Sequence, residues 1–199
     1  MTMRFLFLDI DGVLNSETFL KDLDATYESS GKSLTHFAWE NQIDRAAVGR
    51  LNELLRRVPD VMPILSSSWR LLVDPKEVQR ILCKHGFEGT IVDATPDLAN
   101  DADYVRLRAD NRIERIARGH EIAYWLEHTL YIDPRFSATL ATDVLLRAMI
   151  ERDIRIVILD DSCDMVHLTP WHICTDAQVG LTDADVERAV QLLTDSDRE

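Results

Sequence analysis

Three short apolar runs in this chain each stop at a residue capable of chemistry. Residues 4–8 (RFLFL) end at Asp9, residues 61–65 (VMPIL) at Ser66, and residues 154–159 (IRIVIL) at Asp160. Runs this continuous suit strands buried on both faces of a parallel sheet. Residues 90–92 (TIV) and 171–174 (WHIC) are read as two shorter strands. Between the strands the apolar period changes to that of a helix. In residues 44–57, Ala47, Leu51, Leu54 and Leu55 share one helical face, and Asp44 is placed to cap the amino end. Residues 74–85, 118–128, 137–152 and 182–193 read as further helices, the last opening with Thr182 and Asp185 at capping-box spacing. Strands and helices alternate without repeats or low-complexity stretches, which predicts an α/β fold with a central parallel sheet flanked by helices. In such a sheet ligand chemistry gathers beyond the carboxyl ends of the strands.

Composition narrows the picture. At 199 residues, with 46% hydrophobic and 29% charged residues, the chain suits a single domain with a full core. Its net charge of -13 disfavours a sequence-independent grip on nucleic acid, which requires Lys and Arg against phosphates. Cys83, Cys163 and Cys174 lack the paired spacing of a zinc site and are read as reduced structural thiols. The first eight residues lack the apolar length of a signal peptide, and no run approaches a membrane span, so a cytoplasmic location is expected.

The first strand leads into Asp9-Ile10-Asp11-Gly12-Val13. Two carboxylates one residue apart, followed by a Gly that permits a sharp exit, bring both acids near one point. Asp9 can serve there as nucleophile and hard metal ligand, while Asp11 protonates a leaving oxygen and then activates water. After the second strand comes Ser66-Ser67-Ser68-Trp69-Arg70, where Arg70 either meets a substrate phosphate or pairs with a surface acid. Arg118 opens a helix, and a cation beside helix amide groups makes a phosphate-binding corner; Arg108, Arg112 and Arg115 compete for that role. The third strand ends in Asp160-Asp161, with Asp164 three residues on, enough oxygen for a magnesium shell. Asp160 is the direct ligand; Asp161 binds through water or orients Asp160.

Asp-x-Asp-Gly-Val after an apolar strand resembles the first motif of the haloacid dehalogenase (HAD) superfamily. Taken with Ser-Ser-Ser-Trp-Arg, Arg118-Gly-x-Glu-Ile, Leu-Asp-Asp-x-x-Asp-Met and Thr175-Asp176-x-x-x-Gly180-Leu181-Thr182, the chain is similar to the HAD domain of Swiss Army Knife RNA repair proteins. The resemblance implies a Rossmann-like HAD fold with only a small cap. It also implies a magnesium-dependent phosphomonoester hydrolase that passes through a phosphorylated Asp9. Magnesium would be held by Asp9, the backbone carbonyl of Asp11, Asp160 and Asp161. Ser66 would hydrogen-bond the transferring phosphoryl group, with Ser67 in reserve, and Gly12, Ser67 and Arg70 would lie on the substrate side. The chain departs from the family pattern in a longer stretch at 97–117 and an added one at 130–153.

Specificity in the superfamily usually comes from cap insertions. Residues 16–42 carry Phe19, Tyr27, His36, Phe37 and Trp39, which either form a small lid or staple the linker to the core. The acidic composition favours a nucleotide or other small phosphorylated metabolite, whereas the family resemblance favours a 3'-phosphorylated polynucleotide end. A non-catalytic binding module would be marked by loss of Asp9 or Asp11, and both are present.

Overall fold

The computed structural model describes residues 2–29, 41–99, 116–129, 149 and 153–194. Among these, strands β1 (Met3–Leu8), β2 (Val61–Leu65), β3 (Asp93–Ala94), β4 (Ile154–Asp160) and β5 (His172–Cys174) form one all-parallel sheet in the order β3-β2-β1-β4-β5. The helices are α1 (Glu17–Ser29), α2 (Arg45–Arg57), α3 (Pro75–Lys84), α4 (Arg118–Thr129) and α5 (Asp183–Thr194). This is the expected α/β, Rossmann-like HAD architecture.

The sequence pattern explains how both faces are covered. Side chains alternate across a strand, so β1 sends Leu6 and Leu8 to one face and Phe5 and Phe7 to the other. The first pair packs with Leu51 and Leu54 of α2, Ile81 and Leu82 of α3, and Ala189 and Leu193 of α5. The second pair meets α4, where Trp125 sits edge-on to both rings at centroid distances of 5.2 and 5.4 Å. Phe5, Leu6, Phe7 and Leu8 are therefore all buried, as the uninterrupted apolar run requires.

Two predicted caps are present. Asp44 accepts the Ala46 amide at 2.8 Å, and Thr182 and Asp185 exchange reciprocal bonds at the start of α5. Three predictions need correction. The ladder expected at 90–92 forms instead at Asp93–Ala94, with the Val92 amide bonded to Pro63 beforehand; residue 171 ends a 3-10 turn, so β5 begins at His172. Helix α1 was not predicted, although Phe19, Leu20, Leu23 and Tyr27 recur at helical spacing and form its half-buried face; none of its residues is fully buried. Its first turn is tethered through the Glu17 amide to the Ala177 carbonyl at 2.8 Å. The expected helix at 137–152, apart from Met149, lies outside the described residues, as do His36, Phe37 and Trp39.

β2 and β3 lie on one side of β1 and β4 and β5 on the other, so the strand order reverses at β1. The crevice beyond the carboxyl ends of β1 and β4 is the topological switch point, where open α/β sheets collect ligands. Asp9 follows β1 and Asp160 ends β4 at that crevice.

Candidate active site

Asp9 is buried at the end of β1, its own amide bonded to the Leu159 carbonyl of β4 at 2.9 Å. One carboxylate oxygen, Oδ1, accepts the Ile10 amide at 2.7 Å; the other, Oδ2, faces the Arg118 guanidinium with Nη2 4.0 Å away. Burial raises the Asp9 carboxyl to about 6, against the lowering effect of a hydrogen bond from Ser67 and the charge of Arg118.

Asp160 is fully buried. Its Oδ1 accepts the Ser162 amide at 2.8 Å, while Oδ2 accepts no hydrogen bond from the described residues and lies 3.3 Å from Arg118 Nε in an ion pair. Burial, then the nearby charge of Asp9, pushes its carboxyl up to about 7. Asp161 is half-buried, and it too is raised by desolvation. One oxygen from each of Asp9, Asp160 and Asp161 falls within 4.8 Å of the others.

Gly12 makes this convergence possible. Its φ of +69° is left-handed, and a Cβ there would stand 2.4 Å from Cγ of Asp161. The Asp161 side chain thus occupies space that any other residue at position 12 would fill. The Thr175 hydroxyl holds the Gly12 carbonyl at 2.9 Å from the side of β5.

The Asp11 carboxylate is engaged elsewhere. Trp69 Nε1 donates to both of its oxygens at 3.0 and 3.1 Å, and Asn15 Nδ2 donates at 2.9 Å. Neither Trp69 nor Asn15 was singled out from the sequence as a site residue. An indole within a Ser-rich loop and an amide four residues after an acid carry no chemistry of their own, so their relevance depends on the fold.

The hydroxyl cluster divides its tasks. Ser66 is fully buried, its amide donates to the Leu8 carbonyl at 2.8 Å, and its hydroxyl has no hydrogen-bond partner among the described residues. Ser67 is the residue whose side chain hydrogen-bonds Asp9, and it also caps the 3-10 turn Ser68–Leu71.

Arg70 pairs with an acid, but a buried one, Glu121, and it also lines the cleft beside the clustered carboxylates. Its side chain is 4% exposed, and its nitrogens donate to the carbonyls of Thr95, Ser67 and Pro96 and to Glu121 at 2.6 Å. Glu121, one turn into α4, also receives Arg118 Nη1 at 3.3 Å. Arg118 is thereby stretched between Glu121, Asp160 and Asp9. Gly119 lets the start of α4 approach this closely, because a Cβ there would stand 2.3 Å from the Met165 carbonyl. Arg108, Arg112 and Arg115 lie outside the described residues.

The donor set fits a hard divalent cation: it consists of carboxylate oxygens only, clustered and partly desolvated, with one buried oxygen lacking a hydrogen bond. Beside it a cleft of about 210 Å³ opens, lined by Arg70, Arg118 and Glu121 together with Ser68, Ser162 and Asp164. Two larger hollows, about 510 and 440 Å³, lie along the β2 and β3 side of the sheet and include none of the three carboxylates.

A doubly wound parallel sheet with clustered acids at its switch point and a cation on the facing helix fits a HAD-type hydrolase domain. A family model described as the HAD domain in Swiss Army Knife RNA repair proteins matches residues 5–186, and the chain belongs to that family. Comparison with curated proteins and with solved structures returned no match. Among the described residues no helix is long and apolar enough to cross a membrane.

Proposed function

We propose that this chain is a magnesium-dependent phosphomonoester hydrolase, probed most directly with nucleotides and other small phosphorylated metabolites. The observation that carries the reading is the convergence of Asp9, Asp160 and Asp161 with Arg118 between the first two. A divalent cation held by Asp9, Asp160, Asp161 and the Asp11 carbonyl would offset phosphate charge and fix the phosphoryl group for in-line attack.

The chain's own residues do the rest. Asp9 Oδ1 is tied to the Ile10 amide, which leaves Oδ2 as the attacking oxygen. It displaces the alcohol from phosphorus and forms an aspartyl phosphate. Arg118 stabilises the charge spread over the equatorial oxygens, and its position is fixed by Glu121. Asp11, oriented by Trp69 and Asn15, gives a proton to the leaving oxygen and later takes one from the water that hydrolyses the intermediate. Ser67 orients Asp9, Gly12 keeps room for Asp161, and Arg70 is a positioning residue that acts through Glu121. Ser66 stays a candidate phosphoryl contact through its unpaired hydroxyl.

A second reading, removal of a 3'-phosphate from a polynucleotide end, is supported by the family match to RNA repair proteins. The two separate in one experiment. Phosphate release is measured from nucleoside monophosphates, sugar phosphates and 3'-phosphorylated oligonucleotides, with magnesium or with chelator, for the wild type and Asp9→Asn. Magnesium-dependent release that falls at least ~10³-fold in Asp9→Asn supports the chemistry, and the substrate ranking decides between the readings. No release from any substrate by folded, metal-loaded protein would favour a non-catalytic binding module.

A further inference from the structure

Cys163 and Cys174 stand eleven positions apart in sequence, yet their sulfurs lie 2.8 Å from each other. Cys163 is in the loop after β4, two residues beyond Asp161, and Cys174 ends β5 in register with Asp160. Both are exposed and neither is in a disulfide. A disulfide bond is about 2.05 Å long, so closing this one calls for sulfur movement of only ~0.8 Å. The β4–β5 ladder fixes Cys174 through its pairing with Asp160, and the loop side supplies the movement.

We propose that Cys163 and Cys174 form a redox modification site, a thiol pair that closes reversibly to a disulfide and ties the loop after Asp160 and Asp161 to the end of β5. The oxidant class is a low-molecular-weight disulfide. The Cys174 thiol donates to the Asp161 carbonyl at 3.5 Å, so Cys163 is assigned the first attack. Its sulfur bonds to one sulfur of the reagent, breaks the reagent's S–S bond and releases one small thiol. Cys174 then attacks the Cys163 sulfur and expels the second small thiol. Two electrons pass from the protein pair to the reagent, and the two cysteine protons leave on the released thiols. The ring so closed contains the 3-10 turn Val166–Trp171 and β5, and the crosslink restricts the unfolded chain.

The test uses the full chain carrying Cys83→Ser, which removes the third, exposed thiol. The protein is treated with oxidised glutathione, then analysed by intact and peptide mass spectrometry and by thermal melting. The expected result is loss of two hydrogens, a Cys163–Cys174 linked peptide, and a Tm raised by roughly 5–10 °C that reductant reverses. Adding Cys174→Ser should leave a glutathione adduct on Cys163 and no rise in Tm. Protein that stays fully reduced, or that stops at glutathione adducts with both cysteines present, would overturn the proposal. None of these readouts uses phosphate release, so the result stands apart from the hydrolase reading.

Discussion

Without a cation, the Asp9 and Asp160 carboxylates should make the folded protein less stable as pH rises. In the fold their carboxyls are raised from 3.8 to about 6 and about 7 respectively, chiefly by burial. A group raised on folding leaves stability intact below its unfolded value and withdraws it as pH climbs through the folded one. The loss should therefore fall between about pH 4 and pH 7. At ~1.4 kcal/mol per tenfold change in proton affinity, Asp9 alone costs roughly 3 kcal/mol. Asp160, raised further, costs roughly 4 kcal/mol by the same conversion, and since the two carboxyls titrate together the pair costs roughly 4–7 kcal/mol. For a chain of this size ~1 kcal/mol moves Tm by about 2–4 °C, which predicts a fall on the order of 10–20 °C.

The assay is thermal melting in chelator from pH 4.5 to 8, repeated with magnesium. Magnesium at a hundredfold excess over its Kd should restore ~2.7 kcal/mol at the upper end of the range. The chain's net charge of -13 also favours expansion as pH rises, so the decisive comparison is with Asp160→Asn. That variant keeps the side-chain shape and the oxygen that accepts the Ser162 amide while removing one buried charge. In chelator at pH 7.5 it should melt above the wild type; in magnesium the order should reverse. Parallel pH curves for the two proteins, or melting of the wild type that magnesium does not move, would refute the reasoning.

Gly12→Ala meets a left-handed backbone and Asp161 at once, so it should lower stability by about 1–3 kcal/mol and weaken magnesium binding at least tenfold, measured by melting and calorimetry. Trp69→Phe removes the indole donor to Asp11 while keeping most of the buried ring; kcat should fall ~10²-fold, KM should change less than about threefold, and the pH–rate profile should change shape. Arg118→Ala should abolish phosphate release yet leave magnesium binding unchanged or tighter, because a cation competing for Asp9 and Asp160 has gone; loss of metal binding in calorimetry would contradict that assignment.

The strands and acids were legible because burial on both faces imposes an unbroken apolar run, and a carboxylate ending such a run has few structural uses. Asp9, Asp160 and Asp161 meet because their strands are neighbours in the sheet, so a strand-end reading sufficed. Arg118 was legible for a related reason, as the first residue of a helix carrying Ile122, Trp125 and Leu126 on its buried face. Arg70 was not, since its environment is built from carbonyls at positions 67, 95 and 96, and carbonyls leave no trace in residue identity. Ser66 and Ser67 illustrate a finer limit. Adjacent residues of one type differ only in the direction of their side chains, and the tight turn after β2 decides which hydroxyl reaches Asp9.

Charge around the site explains why the two arginines have such different environments. When ionised, Asp9, Asp11, Asp160, Asp161 and Glu121 face Arg70 and Arg118, which leaves three negative charges, of which a dication would balance two. A phosphomonoester then arrives at a site that is still net negative unless Asp11 holds its proton, and its own charge would be met by Arg118 and by a cation held at the acids. Four of the five N–H groups of the Arg70 guanidinium are already donating, which leaves one on Nη1 for any direct contact. What Arg70 does is hold Glu121, and Glu121 keeps Arg118 from collapsing fully onto the aspartates. Had Arg118 no acidic partner behind it, its best position would be the one the metal needs. On this reasoning Glu121 is the residue that lets a cationic side chain and a metal ion share the same two carboxylates.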